Sequence, residues 1–204
     1  MTLFDEAVLT PFDDAGLALF DDAVGTLGRW QATSEPADLA RKRTLELLAA
    51  GPVAMTRAHR PGHVTASALI VDEQRRVLLC LHGRLCMWMQ VGGHCEATDG
   101  TLAQAALREA TEESGIAGLR LDPDPIDVDI HPVRCAPAAG EPAGPTLHYD
   151  VRFVAVCPPG SVEQISDESA ELGWFTAGRL PTPLADGVVQ QLAPAFARLP
   201  EPQM

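Results

Sequence analysis

Residues 92–116 read GGHCEATDGTLAQAALREATEESGI, and this stretch decides the fold. Thr101 followed by Gln104 is a capping-box pattern, in which side chains accept hydrogen bonds from the free backbone N–H groups at a helix start. Gly115 suits the left-handed turn that ends a helix, and Ile116 can make the closing hydrophobic contact. The stretch therefore predicts a glycine loop followed by one helix between Thr101 and Gly115.

Three carboxylates project from one side of this predicted helix. Glu112 and Glu113 follow Glu109 by three and four residues, the spacings at which helical side chains become neighbours. Like charges at these spacings repel, and the helix dipole also disfavours anions near the C-terminus. Natural sequences retain such an unfavourable arrangement mostly where function requires it. A cluster of carboxylates supplies the oxygen ligands that Mg²⁺ prefers. The cluster therefore indicates either a cation site or a solvated acidic face, with Arg108 bracing Glu112 by an ion pair.

The rest of the chain shows alternating strand-like and helical periods. Strands are predicted over 64–71, 77–81, 87–91, 126–130, 147–153 and 172–175. The proline-rich segment 132–146 is predicted to be a loop long enough for a lid. A last helix is expected over 187–199, broken early by Pro194. Mixed strands with a helix after the third one indicate an α/β (α+β) fold and not a succession of βα units.

Residues 1–58 are predicted to be an N-terminal helical extension, and residues 59–204 the main domain. A second helix should open near Ser34 and stop at Gly51-Pro52. The first helix is indicated by an apolar stripe at helical steps, formed by Leu17, Phe20, Val24 and Leu27. Either packing within the chain or contact in a homodimer explains that stripe.

The amino-acid composition limits which binding partners and which cellular compartment are expected. Asp and Glu total 28 against 15 Lys and Arg, a net charge of −13, which argues against nucleic acid or an anionic membrane as a partner. The N-terminus is acidic where a secretory signal would be basic. Five cysteines without a C-x-x-C pair indicate a reducing, cytoplasmic location. A zinc site is an alternative for one stretch, with His82, Cys86, His94 and Cys95 as ligands, although the spacings match no usual zinc finger.

Residues 92–116 resemble the Nudix box, G-x5-E-x7-R-E-U-x-E-E-x-G-U, where U is an aliphatic residue. Residues 108–116 match its second half, and residues 88–93 (WMQVGG) are similar to the W-x-U-P-G-G lead-in, with Val91 in place of proline. Asp99 stands at the first acid position, and eight residues instead of seven separate it from Arg108. We expect the extra residue to lie in the loop before the helix, where insertions are tolerated.

The resemblance, which covers roughly residues 60–200, implies a Nudix fold with a mixed β-sheet between helices. It implies Mg²⁺- or Mn²⁺-dependent hydrolysis of a pyrophosphate bond in a nucleoside diphosphate linked to another moiety. By position, the metal ligands would be Glu109, Glu112, Glu113 and the carbonyl of Gly93. The residue that takes the proton from water would be Glu112 or Glu113, or else Glu168 in a later loop.

Three further side chains are predicted to contact the substrate, and each has a structural alternative. Trp88 is also typical of a core residue, and His94 could instead cap a turn. Arg152 could hold a phosphate or belong to a buried salt-bridged row with His148 and Asp150. The partner implied is a small nucleoside diphosphate derivative. The alternative function is a non-catalytic nucleotide-binding or regulatory protein on the same fold.

Overall fold

The computed structural model describes residues 14–138, 140–165 and 169–199, and this part of the chain begins with two helices. Helix α1 spans Asp14–Arg29 and α2 spans Glu35–Leu48, followed by a short 3-10 turn at Pro52–Met55. The Ser34 hydroxyl accepts the Ala37 N–H at 3.3 Å and so caps α2 where the sequence predicts its start. The predicted stop is close to the observed one, since α2 ends three residues before Gly51.

Eight strands form one mixed sheet, with helix α3 (Leu102–Ser114) after the fourth strand and α4 (Val188–Phe196) after the last. The strands are β1 (His63–Val71), β2 (Arg76–His82), β3 (Trp88–Met89), β4 (Val91–His94), β5 (Arg120–Leu121), β6 (Asp127–Cys135), β7 (Gly144–Val156) and β8 (Ser169–Thr176). Strand β1 is central: it pairs antiparallel with β2 and β4 and parallel with β7. The predicted α/β class with a mixed sheet is confirmed.

Two predictions about prolines are correct only in part. The loop predicted over 132–146 is shorter than expected, because β6 runs to Cys135 and β7 starts at Gly144, so that Pro132 pairs with Leu147. Strand β6 pairs only with β7 among the described strands, so Pro132 sits on an edge strand, where a missing N–H is tolerated. Helix α4 passes through Pro194 and ends two residues later, at Phe196, short of the predicted end at residue 199.

Helix α1 packs through a face that matches the predicted stripe only in part. Of the predicted residues, Leu27 is buried and Phe20 packs against the core, whereas Leu17 and Val24 do not face it. Leu19, Ala23 and Leu27 are fully buried, whereas Leu17 is 45% and Val24 39% exposed. The prediction gave weight to large apolar residues. The structure buries the face with the small Ala23, which lets the helix lie close to its neighbours.

The sheet has a core on each face. On one face, α1, α2 and α3 share a core with alternate residues of β1 and β7, including Val64, Ala66, Val151 and Phe153. Leu69, Val71 and Val154 pack with α4 in a second core. The N-terminal helices thus share a core with the sheet, and the boundary at residue 59 stays a prediction. Within the described residues, no helix has both the length and the apolar character needed to cross a bilayer.

The packing of α1 predicts a contrast between two neighbouring leucines. Leu19→Ala should lower the free energy of unfolding by about 2–5 kcal/mol, because it opens a cavity in the core. Leu17→Ala, on the exposed side, should change it by less than about 0.5 kcal/mol. Urea denaturation followed by circular dichroism measures both. Equal losses in the two variants would contradict the observed face.

Candidate active site

Arg108 ties the glycine loop to α3. Its Nε and Nη2 donate to the two carboxylate oxygens of Asp99 at 3.1 and 3.0 Å, and Nη2 also donates to the His94 carbonyl at 2.9 Å. Asp99 is only 5% exposed and also accepts the Glu96 N–H. The hydrogen bonds to Asp99 outweigh the effect of burial and raise the pKa of Arg108. A bidentate ion pair of this kind restricts the orientation of both side chains, so the loop is held against the helix.

The remaining terminal nitrogen of Arg108 reaches the glutamates. Nη1 donates to one carboxylate oxygen of Glu109 and to one of Glu112, both at 3.1 Å. Glu109 is 14% and Glu112 60% exposed, and Glu113 beside it is half-buried. The predicted ion pair between Arg108 and Glu112 is therefore present, and Glu109 shares the same guanidinium. One cation offsets part of the repulsion within the acidic cluster.

Gly93 marks a very close approach of β4 to α3. A Cβ atom placed at residue 93 would lie 2.7 to 2.8 Å from the three atoms of the Glu109 carboxylate, so any side chain would force a shift. A side chain at this position would push the Glu109 carboxylate away from its observed place beside the strand. The structure thus brings Gly93 and Glu109 together, and Arg108 links Glu109 to Glu112.

Arg152 lies in a buried ion-pair network on the sheet. Its three nitrogens each donate to a different carboxylate, those of Asp150, Asp127 and Asp129, at 3.0, 3.1 and 3.0 Å. The Arg152 side chain is 3% exposed. Burial raises the pKa of Asp127 in spite of the neighbouring guanidinium. The geometry favours the buried salt-bridged row over a phosphate contact, and phosphate binding by Arg152 stays a prediction.

Trp88 and Glu168 complete the predicted site residues. Trp88 is 8% exposed and packs edge-on against Phe175, with ring centroids 5.0 Å apart. This position in the second core accounts for the tryptophan, so its contact with a substrate base stays a prediction. Glu168 lies outside the described residues, and its role as proton acceptor also stays a prediction.

His94 belongs to a cluster that also contains His63, His148 and Cys135. His63 on β1 pairs in register with His148 on β7, and His94 on β4 lies opposite Thr65. The three ring centroids are between 4.9 and 5.1 Å apart, and Cys135 Sγ is 3.3 Å from His94 Nε2. Burial lowers the pKa of His63 to about 4, of His94 to about 2 and of His148 to about 3. All three imidazoles are therefore uncharged at neutral pH.

The zinc ligand set considered from sequence is wrong as a set. His94 faces the cluster just described, His82 Nδ1 accepts the N–H groups of Arg84 and Leu85, and Cys86 is exposed. Within the described part of the chain, one group of three or more His, Cys, Asp or Glu residues has ligand atoms within 4.8 Å of one another, formed by His63, His94, Cys135 and His148. His63, Cys135 and His148 are absent from the ligand set predicted from sequence, because they lie on separate strands that are distant along the chain.

The family follows from comparison with known proteins. A model of the family described as NUDIX domain matches residues 61–199, well over half of the chain. The chain belongs to the Nudix family. It is a hydrolase of that family, and the resemblance carried by residues 92–116 is confirmed. No curated protein matches the chain.

Solved Nudix structures resemble this chain at low sequence identity. The Ap4A hydrolase of C. elegans aligns with a TM-score of 0.50 and 19% identity over 66% of this chain and 95% of that chain. A Nudix hydrolase from M. smegmatis aligns at 0.48 and 22% over 69% and 89%. A NUDIX-family hydrolase from Clostridium perfringens aligns at 0.47 and 22% over 64% and 96%. The first of these alignments supports the Nudix fold.

The Nudix box accommodates its extra residue before the helix. Gln104 accepts the Gly100 N–H at 2.9 Å, and the Thr101 hydroxyl accepts the Gln104 N–H at 3.1 Å, so the cap is closed. Asp99 still reaches Arg108 across the lengthened loop. The second half of the box then lies on one uninterrupted helix, as the sequence predicts.

Asp99→Asn should loosen the Nudix loop from α3. The substitution removes the charge from the buried partner of Arg108, so we expect a loss of about 1.5–3 kcal/mol in the free energy of unfolding. Glu96→Gln is the matched control: its carboxylate is 60% exposed and 3.9 Å from Arg108, so it should change stability by less than about 0.5 kcal/mol. Urea denaturation compares the two. Equal stabilities would show that the Asp99 pair does not hold the loop.

Arg152→Met should be strongly destabilising at neutral pH, by about 3–5 kcal/mol, because three neighbouring carboxylates lose their cation. Burial raises the pKa of Asp127 even beside this guanidinium, and removing the guanidinium should raise that pKa further, so the loss should shrink as the pH falls towards 5 and a proton neutralises Asp127. Arg198→Met is the control, since Arg198 forms a more exposed pair with Asp122 and should cost less than about 1 kcal/mol. A loss for Arg152→Met that does not vary with pH would contradict the charge argument.

Proposed function

We propose that this Nudix hydrolase cleaves a pyrophosphate bond in a nucleoside diphosphate linked to another moiety, with Mg²⁺ or Mn²⁺ as cofactor. The observation that carries the proposal is the arrangement of the box: Glu109 lies beside the Gly93 backbone and shares Arg108 with Glu112, and Asp99 holds that arginine. The substrate would be a small molecule and not nucleic acid or membrane, given a net charge of −13. We also propose a cytoplasmic location, where its five free cysteines stay reduced.

The donor groups fit a hard divalent cation. Glu109, Glu112 and Glu113 supply carboxylate oxygens, and Gly93 would add a carbonyl oxygen, the ligand types that Mg²⁺ and Mn²⁺ prefer. When bound, such an ion neutralises phosphate charge and lowers the pKa of a bound water. The fit is supported by Gly93, where any side chain would collide with the Glu109 carboxylate.

The other residues of the box would position the acids and move the proton. Arg108 holds Glu109 and Glu112 by one nitrogen while Asp99 fixes the guanidinium, so the acids are placed before the substrate arrives. Glu112 is 60% exposed and can therefore reach an incoming ligand. Glu112 or Glu113 would accept the proton of the attacking water, with Glu168 as the third candidate.

The substrate class can be found by a hydrolysis screen. Nucleoside diphosphate sugars, dinucleoside polyphosphates and nucleoside triphosphates should be tested with Mg²⁺, with Mn²⁺ and with a chelator, and the products separated by chromatography. We expect hydrolysis of at least one class, abolished by the chelator and restored by Mg²⁺ or Mn²⁺. Binding of these compounds by calorimetry without turnover would instead favour the non-catalytic alternative.

Glu112→Gln should remove most of the activity without unfolding the protein. Because the substitution deletes a predicted ligand and proton acceptor, we expect kcat/KM to fall by about 10²-fold or more. Glu46→Gln, the same change on the exposed side of α2, should leave kcat/KM unaltered. Thermal unfolding of both variants checks the fold. Full activity of Glu112→Gln would rule out the role assigned to this residue.

A further inference from the structure

We propose that His63, His94, Cys135 and His148 form a Zn²⁺ site that is separate from the glutamates of the Nudix box. Each ligand comes from a different strand, β1, β4, β6 and β7 respectively. The site would join these four strands where β1 begins and β4 ends. Its test by metal analysis does not depend on the proposed pyrophosphohydrolase activity.

The distances match a tetrahedral metal after small side-chain movements. One ligand atom from each residue lies within 4.8 Å of all the others, and Cys135 Sγ and His94 Nε2 are 3.3 Å apart. Zinc bonds of about 2.0–2.3 Å at tetrahedral angles place neighbouring ligand atoms about 3.3–3.8 Å apart. Small rotations of the four side chains would therefore bring their ligand atoms to tetrahedral distances.

The unsatisfied ring nitrogens give an independent reason for a ligand. His63 is completely buried, and neither of its ring nitrogens has a hydrogen-bond partner; the Nε2 atom of His148 is also buried without one. A neutral imidazole has one N–H donor and one lone pair, and burying them unpaired is costly. A metal ion that accepts the lone pairs of His63 and His148 removes part of that cost.

The donor types select the metal. Three imidazoles and one thiolate suit Zn²⁺, whereas Mg²⁺ prefers the oxygens found on α3. Four protein ligands would also leave no open position, which is the pattern of a structural and not a catalytic zinc site. His131 is close to His148, with ring centroids 5.7 Å apart, but its Nδ1 is bonded to Asp129 and it lies outside the group.

The proposed zinc would hold the end of β4 in place. His94 follows Gly93 directly, and its carbonyl oxygen accepts a hydrogen bond from Arg108. Fixing the His94 side chain would therefore fix the backbone that lies beside Glu109. In this scheme His94 acts as a positioning residue for the Nudix box.

Metal analysis of the full chain tests the proposal. The protein is purified without chelators or a metal-affinity step, dialysed against a large excess of Mg²⁺, and analysed by inductively coupled plasma mass spectrometry. We expect about one Zn²⁺ per chain, retained in Glu112→Gln. The metal-free protein is then titrated with Co²⁺, which should give the intense visible bands of a tetrahedral ion and a thiolate-to-cobalt charge-transfer band in the near ultraviolet.

Matched variants identify the ligands. Cys135→Ser should lose the charge-transfer band, and His148→Gln should lose stoichiometric zinc. Cys86→Ser and His131→Gln, which change the same residue types outside the group, should keep both signals. The Co²⁺ titration of the unmodified chain keeps the test decisive if a variant fails to fold. Absence of retained zinc together with absence of a thiolate band in the unmodified chain, or a band that survives Cys135→Ser, would overturn the proposal.

Discussion

The arrangement of the box depends on one buried ion pair, between Asp99 and Arg108. The Asp99 carboxylate accepts hydrogen bonds from two of the guanidinium nitrogens of Arg108. The same guanidinium also donates to the His94 carbonyl, to Glu109 and to Glu112. A planar guanidinium with five donors can make these contacts in fixed directions, which a lysine ammonium cannot do. The loop, the end of β4 and the acidic face of α3 are therefore aligned by a single side chain.

Arg108 and Arg152 each contact several carboxylates, and the two arginines differ in exposure. Arg152 is 3% exposed and surrounded by Asp127, Asp129 and Asp150, so a ligand could reach it only by breaking a buried network, which is costly. Arg108 is 20% exposed, and its partner Glu112 is 60% exposed. Bonds between exposed charges are weak and easily exchanged. Glu112 can therefore exchange its bond with Arg108 more easily than the aspartates around Arg152 can leave theirs.

The sequence predicts those parts of the fold and site that depend on local signals. Helix α3 begins and ends where Thr101 and Gly115 predict, and the box glutamates lie on it as their spacing requires. The buried face of α1 was predicted only in part, with Phe20 and Leu27 correct, because packing against other elements selects Leu19 over Leu17. Pro132 concealed a strand, since its tolerance depends on β6 being at an edge. The histidine cluster depends on the register of β1 with β4 and β7, which no local pattern encodes.

Alternation along β4 would keep the proposed divalent-cation site of the Nudix box apart from the proposed zinc site. Successive residues of a strand face opposite sides of the sheet. Gly93 faces α3 and the carboxylate of Glu109, whereas His94 faces His63 and His148. The Glu109 carboxylate therefore lies on one side of β4. The imidazole and thiol groups of the proposed zinc site lie on the other side, together with the aspartates that pair with Arg152. A shift of β4 by one residue would move His94 out of the proposed zinc site and Gly93 away from Glu109.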